Sequence, residues 1–395
     1  MTDSPLNQFP IVELGERLRL TREAARLTQK QVADAIGVAR TTLVAIEQGQ
    51  RRVKMDELQR LSKLYQTSVN AILRREAVHV DLVPRFRKLL GSEDSAAVKA
   101  TELLANLARA EVELENLLGI KRARNYPPER PILSGDVRMQ AEQDALELRQ
   151  RLGLGFAPAV DIVTLLEMEL GLRVYVRRFN GSVSGVFAYD DTLGGCILLN
   201  ANHPKERRNQ TAGHELGHFI SVRNAPEVLY ADAPENSREE RYANAFGRSF
   251  MTPAGAVRQK FQEVTAGSSR LTRRHIIVLA HFFGVSREAI VRRLEDLGLT
   301  KKGTWDWFEE NGGITDEQAA QVLGDLMTSD TQKVEANRPT TLRLNLLAAE
   351  AYRQELLSEG QLARLLQIDR IELRELLHDM EIQEDEANGA PILLT

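Results

Sequence analysis

Cysteine occurs once in the 395 residues, so no disulfide can form within the chain. Cys196 lies in the apolar run Gly195-Cys196-Ile197-Leu198-Leu199, where a buried and inert thiol is the expected state. The first ten residues lack a basic patch followed by an apolar stretch, and no segment approaches the roughly 18 continuous apolar residues of a membrane span. A cytoplasmic protein that makes no use of a membrane is expected. Neither sign of charge dominates: 52 Lys and Arg stand against 56 Asp and Glu, a formal net charge of -4. The broad basic surplus of a protein that coats nucleic acid is missing, so any DNA binding has to be local. Hydrophobic residues, at 43%, suffice for real cores, and the length suggests two or three domains.

What is present is most informative at His214-Glu215-Leu216-Gly217-His218. On a helix, a spacing of four places His214 and His218 on one face, where two neutral imidazoles can bind one metal ion. Glu215 is then the candidate general base for a zinc-activated water, the chemistry of peptide hydrolysis. Residues 207–221 read as the helix that carries this motif. Its Gly213 and Gly217 each weaken a helix by about 1 kcal/mol, which predicts close approach of another backbone or of a substrate. A third protein ligand is required, and the next helical segment, residues 236–251, offers Glu239 and Glu240 near its start.

The motif, followed by Glu240-Arg241-Tyr242-Ala243-Asn244-Ala245-Phe246 and then Ser249-Phe250-Met251-Thr252-Pro253, resembles the ImmA/IrrE family of zinc peptidases. The resemblance implies that Glu240 is the third ligand of a Zn2+ ion. Glu239, about 100° away around the helix, is then expected in solvent. The chain departs from the family pattern in having Gly247 where alanine is usual, and in its Ser249 to Pro253 run. Tyr189 and Tyr230 are the candidates for stabilising an oxyanion.

Residues 11–73 show apolar residues at helical spacing, broken where tight turns fit. Thr28 can cap a helix over 29–36, Gly37 ends it, and residues 39–48 resume helical, which is helix-turn-helix. Thr28-Gln29-Lys30-Gln31-Val32-Ala33, Gly37-Val38 and Ile46-Glu47-Gln48-Gly49 resemble the phage-repressor, or XRE (Cro/CI-type), domains. In that docking geometry the second helix enters the major groove of double-stranded operator DNA, so Arg40, Thr41 and Val44 are the candidate base readers. Gln29, Arg51, Arg52 and Lys54 are candidates for phosphates. Residues 1–76 hold 13 Lys and Arg against 9 Asp and Glu, a local net of +4 opposite in sign to the whole chain. Paired half-sites make a homodimer the expected binding form.

The rest of the chain reads as follows. Residues 77–125 suit a helical connector or dimerisation arm, helical over 97–118, and the prolines of Tyr126-Pro127-Pro128-Glu129-Arg130-Pro131 suit an extended linker. Helices are expected over 136–152 and 159–170, and strands over 172–177, 185–189 and 196–200. A broken amphipathic pair spans 271–297, a weaker helical pattern covers 312–333, and residues 334–340 read as a second linker. A second helix-turn-helix-like segment spans 341–380, with an acidic second helix. His275 and His281 are expected in packing or surface roles, and Trp305 and Trp307 as packing anchors. The fold class is mainly α with a small β-sheet (α+β). The expected domains are 11–76 (helix-turn-helix), 77–135 (connector), 136–260 (zinc peptidase), 261–333 (helical extension) and 334–395 (C-terminal helices).

The function expected from these parts is a bacterial or phage-encoded regulator that binds DNA. The resemblance to the ImmA/IrrE family implies that it would also cut a repressor-type helix-turn-helix protein, a partner or another copy of itself, under stress. The alternatives are a transcription factor that uses the peptidase fold as a non-proteolytic sensor, and an antitoxin or defence component.

Overall fold

The computed structural model describes residues 11–25, 27–65, 72, 95–159, 161–230, 237–324 and 341–387. The chain divides into two compact units, residues 1–77 and 78–395.

In the first unit, α1 (Ile11–Ala24), α2 (Gln29–Ile36), α3 (Arg40–Glu47) and α4 (Met55–Leu64) surround a core that includes Leu18, Val32, Ile36, Leu43, Ile46 and Leu58. The turn between α2 and α3 is encoded locally. The Thr28 hydroxyl accepts from Gln31 N–H, and the Gln31 side chain accepts from Thr28 N–H in return. Gly37 then leaves the helix at φ 73°, a conformation that excludes most other residues. A buried pair, Arg22 Nε to Glu47 Oε1 at 2.7 Å, ties α1 to α3, and removing one partner of such a pair costs about 3–5 kcal/mol.

The second unit is built on a four-stranded sheet of β1 (Arg173–Arg177), β2 (Val183–Asp190), β3 (Gly194–Asn200) and β4 (Glu227–Tyr230), in the order β1-β3-β2-β4. Only β1 and β3 run parallel. Period-two alternation sends Ile197 and Leu199 of β3 into one core and Cys196 and Leu198 into another, so both faces of the sheet are covered. On the first face lie α6 (Val137–Arg151), α7 (Ile162–Thr164, continued by a π-turn over Leu165–Glu169), α8 (Lys205–Ser221) and α9 (Arg238–Met251). They are followed by α10 (Ala254–Val264), α11 (Arg273–Phe283), α12 (Arg287–Asp296), α13 (Thr304–Glu310) and α14 (Asp316–Leu323). The second face is covered by α5 (Ser95–Leu118) with the C-terminal helices α15 (Leu342–Arg353), α16 (Glu359–Leu366) and α17 (Arg370–Ala387).

The fold class is therefore the expected one, but two segments differ in role. Residues 97–118, read as a connector or arm, bury Leu104, Leu107 and Leu114 together with Val186 and Leu198 of the sheet. A helix with mixed charge looks solvent-bound until its partners are known. Here Glu111 and Glu115 are buried against Arg122 and Arg173 of the same layer. The proline-rich stretch forms no helix, as expected, yet it is a strap along the core. Arg130 N–H donates to the Ile220 carbonyl at 2.7 Å, and the Tyr126 ring stands edge-on to Phe219 at 4.9 Å. The expected linker over 334–340 lies outside the described residues. No helix among them is long and apolar enough to cross a membrane.

Candidate functional site

Helix α8 places His214 and His218 one turn apart on the face turned toward α9, with Nε2 atoms 3.0 Å from each other. Glu240, in the first turn of α9, approaches both: Oε1 lies 3.3 Å from His218 Nε2 and Oε2 3.6 Å from His214 Nε2. These three donors fall within 4.8 Å of one another, and both histidines are buried. Two imidazole nitrogens and one carboxylate are the donor set of a zinc site that keeps a position open for water or substrate. Glu239 is exposed, as its place on the helix requires.

The close convergence has a cause in sequence. A Cβ on Gly217 would stand 2.7 Å from Ala243 Cα, and one on Gly247 would stand 2.7 Å from the Gly213 carbonyl carbon. Helices α8 and α9 thus cross with backbones nearly touching, which is what lets a glutamate side chain span the gap. The departure at Gly247 has the same steric reason: alanine there would drive the helices apart.

Burial and neighbouring charge shape the electrostatics. Burial, reinforced by His218, holds the His214 imidazole down to about 4, so it is neutral and able to donate a lone pair near pH 7. Glu240 is held below the usual carboxylate range, first by its hydrogen bond with His218. Burial raises Glu215, with Glu227 and Glu240 adding to the effect. Neither Glu215 oxygen has a hydrogen-bond partner among the described residues, although the side chain is fully buried. A buried carboxyl without a partner is costly unless a ligand supplies one.

In the first unit Arg40 and Thr41 are exposed at the start of α3, and Val44, one turn on, is half-buried. Arg52 and Lys54 are exposed beyond α3. Two other candidates are engaged within the domain. Gln29 Nε2 donates to Glu47 Oε2 at 2.9 Å, and Arg51 holds both Glu57 oxygens at 3.1 and 2.9 Å.

Residues 167–295 match the IrrE N-terminal-like domain family, and residues 13–75 match the helix-turn-helix domain family. The uncharacterised HTH-type transcriptional regulator YobD of Bacillus subtilis (strain 168) is 38% identical over 58 residues, 15% of this chain and 52% of that protein. The match thus spans about half the length of that relative. This chain joins a helix-turn-helix domain to an IrrE-type domain.

Within the IrrE-type domain, three residues of the site escaped sequence reasoning. Asn244 Oδ1 lies 2.9 Å from His214 Nδ1, so it accepts the Nδ1 proton and leaves Nε2 as the free donor. Its signal was its spacing of four from Glu240, the same face of α9. Gly185 of β2 is the floor beneath Glu215, since a Cβ there would stand 2.8 Å from Glu215 Oε1. Glu227, on edge strand β4, sends its charge toward His218 and Glu240, and burial raises it. No local pattern distinguishes either residue.

The other candidates lie in varied surroundings. Tyr189 leans on Phe219 with ring centroids 6.4 Å apart, and Tyr230 ends β4 partly exposed. His275 accepts from Thr272 N–H in the cap of α11, and His281 is exposed. Trp305 packs against the core, whereas Trp307 is 53% exposed and touches Phe308 edge-on, so only the first anchors anything deep. Cys196 is buried, and burial pushes its thiol up to about 12, in keeping with an inert role.

Proposed function

We propose that this chain is a DNA-binding transcriptional regulator whose IrrE-type domain is a zinc-dependent endopeptidase. Its substrate would be a helix-turn-helix repressor, either a partner protein or another copy of this chain, cut in response to stress or a mobile element. The observation that carries the reading is the convergence of His214, His218 and Glu240 beside a buried Glu215 with no partner of its own. A sensor or a binding module has no use for that last group.

His214, His218 and Glu240 would hold the ion, with Asn244 fixing the imidazole of His214. A bound zinc supplies Lewis-acid polarisation of a carbonyl and lowers the pKa of water to about 7. Glu215, fixed between α8 and Gly185 of β2, accepts the proton of the attacking water and returns it to the leaving amine. Its burial serves that role, since a carboxylate in apolar surroundings is a stronger base than one in water. On the DNA side, Arg40, Thr41 and Val44 face base edges and Arg52 a phosphate, while Gln29 and Arg51 brace the ends of α2 and α4.

Metal analysis and cleavage assays with one pair of variants test the reading. His214→Ala should lose tight zinc binding, because two ligands make an incomplete site. Glu215→Gln should keep one zinc per chain and cut a candidate repressor about 10² to 10⁴ times more slowly than wild type. Full zinc occupancy in His214→Ala, or undiminished cleavage by Glu215→Gln, contradicts the assignment.

A further inference from the structure

Glu227 stands beside the candidate metal centre with no task among the metal ligands or as the general base. Its strand fixes where it points. In the pairing of β2 with β4, Glu227 lies opposite Phe187 and Leu229 opposite Gly185. Residues directly opposite on antiparallel strands share a face, and Phe187 belongs to the core that holds Leu216 and Phe219 of α8. The next residue, Val228, belongs with Val186 and Ala188 to the core on the other face. Glu227 is therefore on the α8 side of the sheet, one diagonal step from Gly185, a spacing of about 7–8 Å that a long side chain bridges. Gly185 is the position whose missing side chain leaves room for Glu215 Oε1. After burial, the charge of Glu227 is the largest influence raising Glu215.

Glu227 is half-buried, and the charged groups that act on it are His218 and Glu240, neither of them a lysine or arginine. A carboxylate taken out of water without a cation is costly, and an apolar residue would close this face of the sheet better. Glu215, beside it, is buried with no hydrogen-bond partner among the described residues. With both imidazoles neutral, Glu215, Glu227 and Glu240 would set three negative charges against the two positive charges of a zinc ion. One is left over. Strand β4 is also the outermost of the sheet, so no further strand among the described residues separates Glu227 from a polypeptide lying in the site.

Peptide hydrolysis itself generates one cation. The water oxygen bonds to the carbonyl carbon, the C–N bond breaks, and both water hydrogens end on the nitrogen, so a neutral amide becomes a carboxylate and an ammonium. We propose that Glu227 is a further catalytic residue, which accepts a hydrogen bond from the leaving nitrogen and stabilises the positive charge that this nitrogen gains as the bond breaks. The proposal rests on the peptidase reading and assigns a group to its last step. Because the charge grows only along the reaction, Glu227 favours the transition state over the bound peptide and places no demand on the side chains of the substrate.

An ester in place of the scissile amide separates this role from a structural one, since an alcohol leaves without gaining a charge. The probes are a peptide spanning the bond cut in a candidate repressor, located by mass spectrometry, and its analogue with that one amide replaced by an ester. Both are offered to the zinc-loaded full chain. Glu227→Gln, which keeps the shape, should retain one zinc per chain and cut the amide about 10²-fold more slowly, with the loss carried by kcat, while the ester rate stays unchanged. Glu227→Asp should recover part of the amide rate. An equal loss on amide and ester, or no loss on the amide, overturns the role of Glu227 and leaves the peptidase reading intact. Loss of zinc in Glu227→Gln also overturns it, because the residue would then be serving the metal. A wild-type chain that cuts neither probe overturns the peptidase reading first, and the role of Glu227 falls with it.

Discussion

The carboxamide of Asn244 and the missing side chain of Gly185 serve two adjacent residues of the candidate site, His214 and Glu215. Asn244 accepts from His214 Nδ1 at 2.9 Å, while Gly185 leaves the space that Glu215 fills. Their substitutions should therefore fail differently. Asn244→Ala should weaken zinc affinity about 10 to 100-fold, as loss of a partner that orients a ligand does elsewhere, and Asn244→Asp should restore it because a carboxylate also accepts from Nδ1. Competition with a chromophoric chelator measures this directly. Gly185→Ala should keep the metal, but its Cβ would displace Glu215 and cut kcat/KM by about 10²-fold. Zinc loss in Gly185→Ala without loss in Asn244→Ala would reverse the two assignments.

At the scale of elements, the crossing of α8 and α9 opposes helix propensity with packing. Gly217→Ala should gain up to about 1 kcal/mol of propensity, but a Cβ 2.7 Å from Ala243 Cα overpacks a rigid contact at a cost of about 1–3 kcal/mol. Net destabilisation is expected, visible as a lower urea midpoint at unchanged slope. The C-terminal helices are fixed to the sheet layer by another device. Thr341 Oγ1 donates to Glu167 Oε1 at 2.7 Å and Arg343 N–H to Glu167 Oε2 at 3.1 Å. Burial, with the charge of Glu111, pushes Glu167 up from 4.5 to about 7. The folded state thus binds this proton more tightly than the unfolded chain. The stability it contributes, about 3 kcal/mol at most, is complete below pH 4.5 and is lost as pH rises through 7. Glu167→Gln, neutral at every pH, should stay level where wild type weakens between pH 5 and 8. Parallel melting curves for the two proteins across that range would refute the role of Glu167.

Considered as a whole molecule, the chain places a candidate reader of DNA and a candidate metal centre in separate compact units. The reader should reveal itself by salt and sequence. Arg40→Ala should lose about 1–3 kcal/mol on the specific operator and little on random duplex, whereas Arg52→Ala should weaken all sequences alike and lower the salt slope by about one. Identical salt slopes for Arg52→Ala and wild type, measured by fluorescence anisotropy, would remove Arg52 from the phosphate contacts. The helix-turn-helix spacing recurs near the C-terminus. Ser358 caps α16 with Gln361 as Thr28 caps α2 with Gln31, and Gln367 takes the left-handed position that Gly37 holds. The helix that follows exposes Glu372 and Glu375 beside Arg370 and Arg374, so the repeated geometry lacks the basic face of the first.

Local chemistry determined a good deal of this protein. The cap at Thr28, the left-handed Gly37, the spacing of His214 and His218 and the alternation in β3 depend on neighbours within a few residues, so a linear reading finds them. The fold class and the helix-turn-helix were legible for that reason. Glu240 was reached through resemblance, since spacing alone left Glu239 beside it. Tertiary structure decided the rest. Residues 97–118 and the proline strap became parts of a core only because the sheet has two faces to cover, which no periodicity in either segment states. Asn244, Gly185 and Glu227 enter the site from α9, β2 and β4, and Gln29 and Arg51 are drawn onto Glu47 and Glu57. Each of these depends on which backbones pass within a few ångströms of one another, a quantity set by packing across the whole unit and written in no single stretch of sequence.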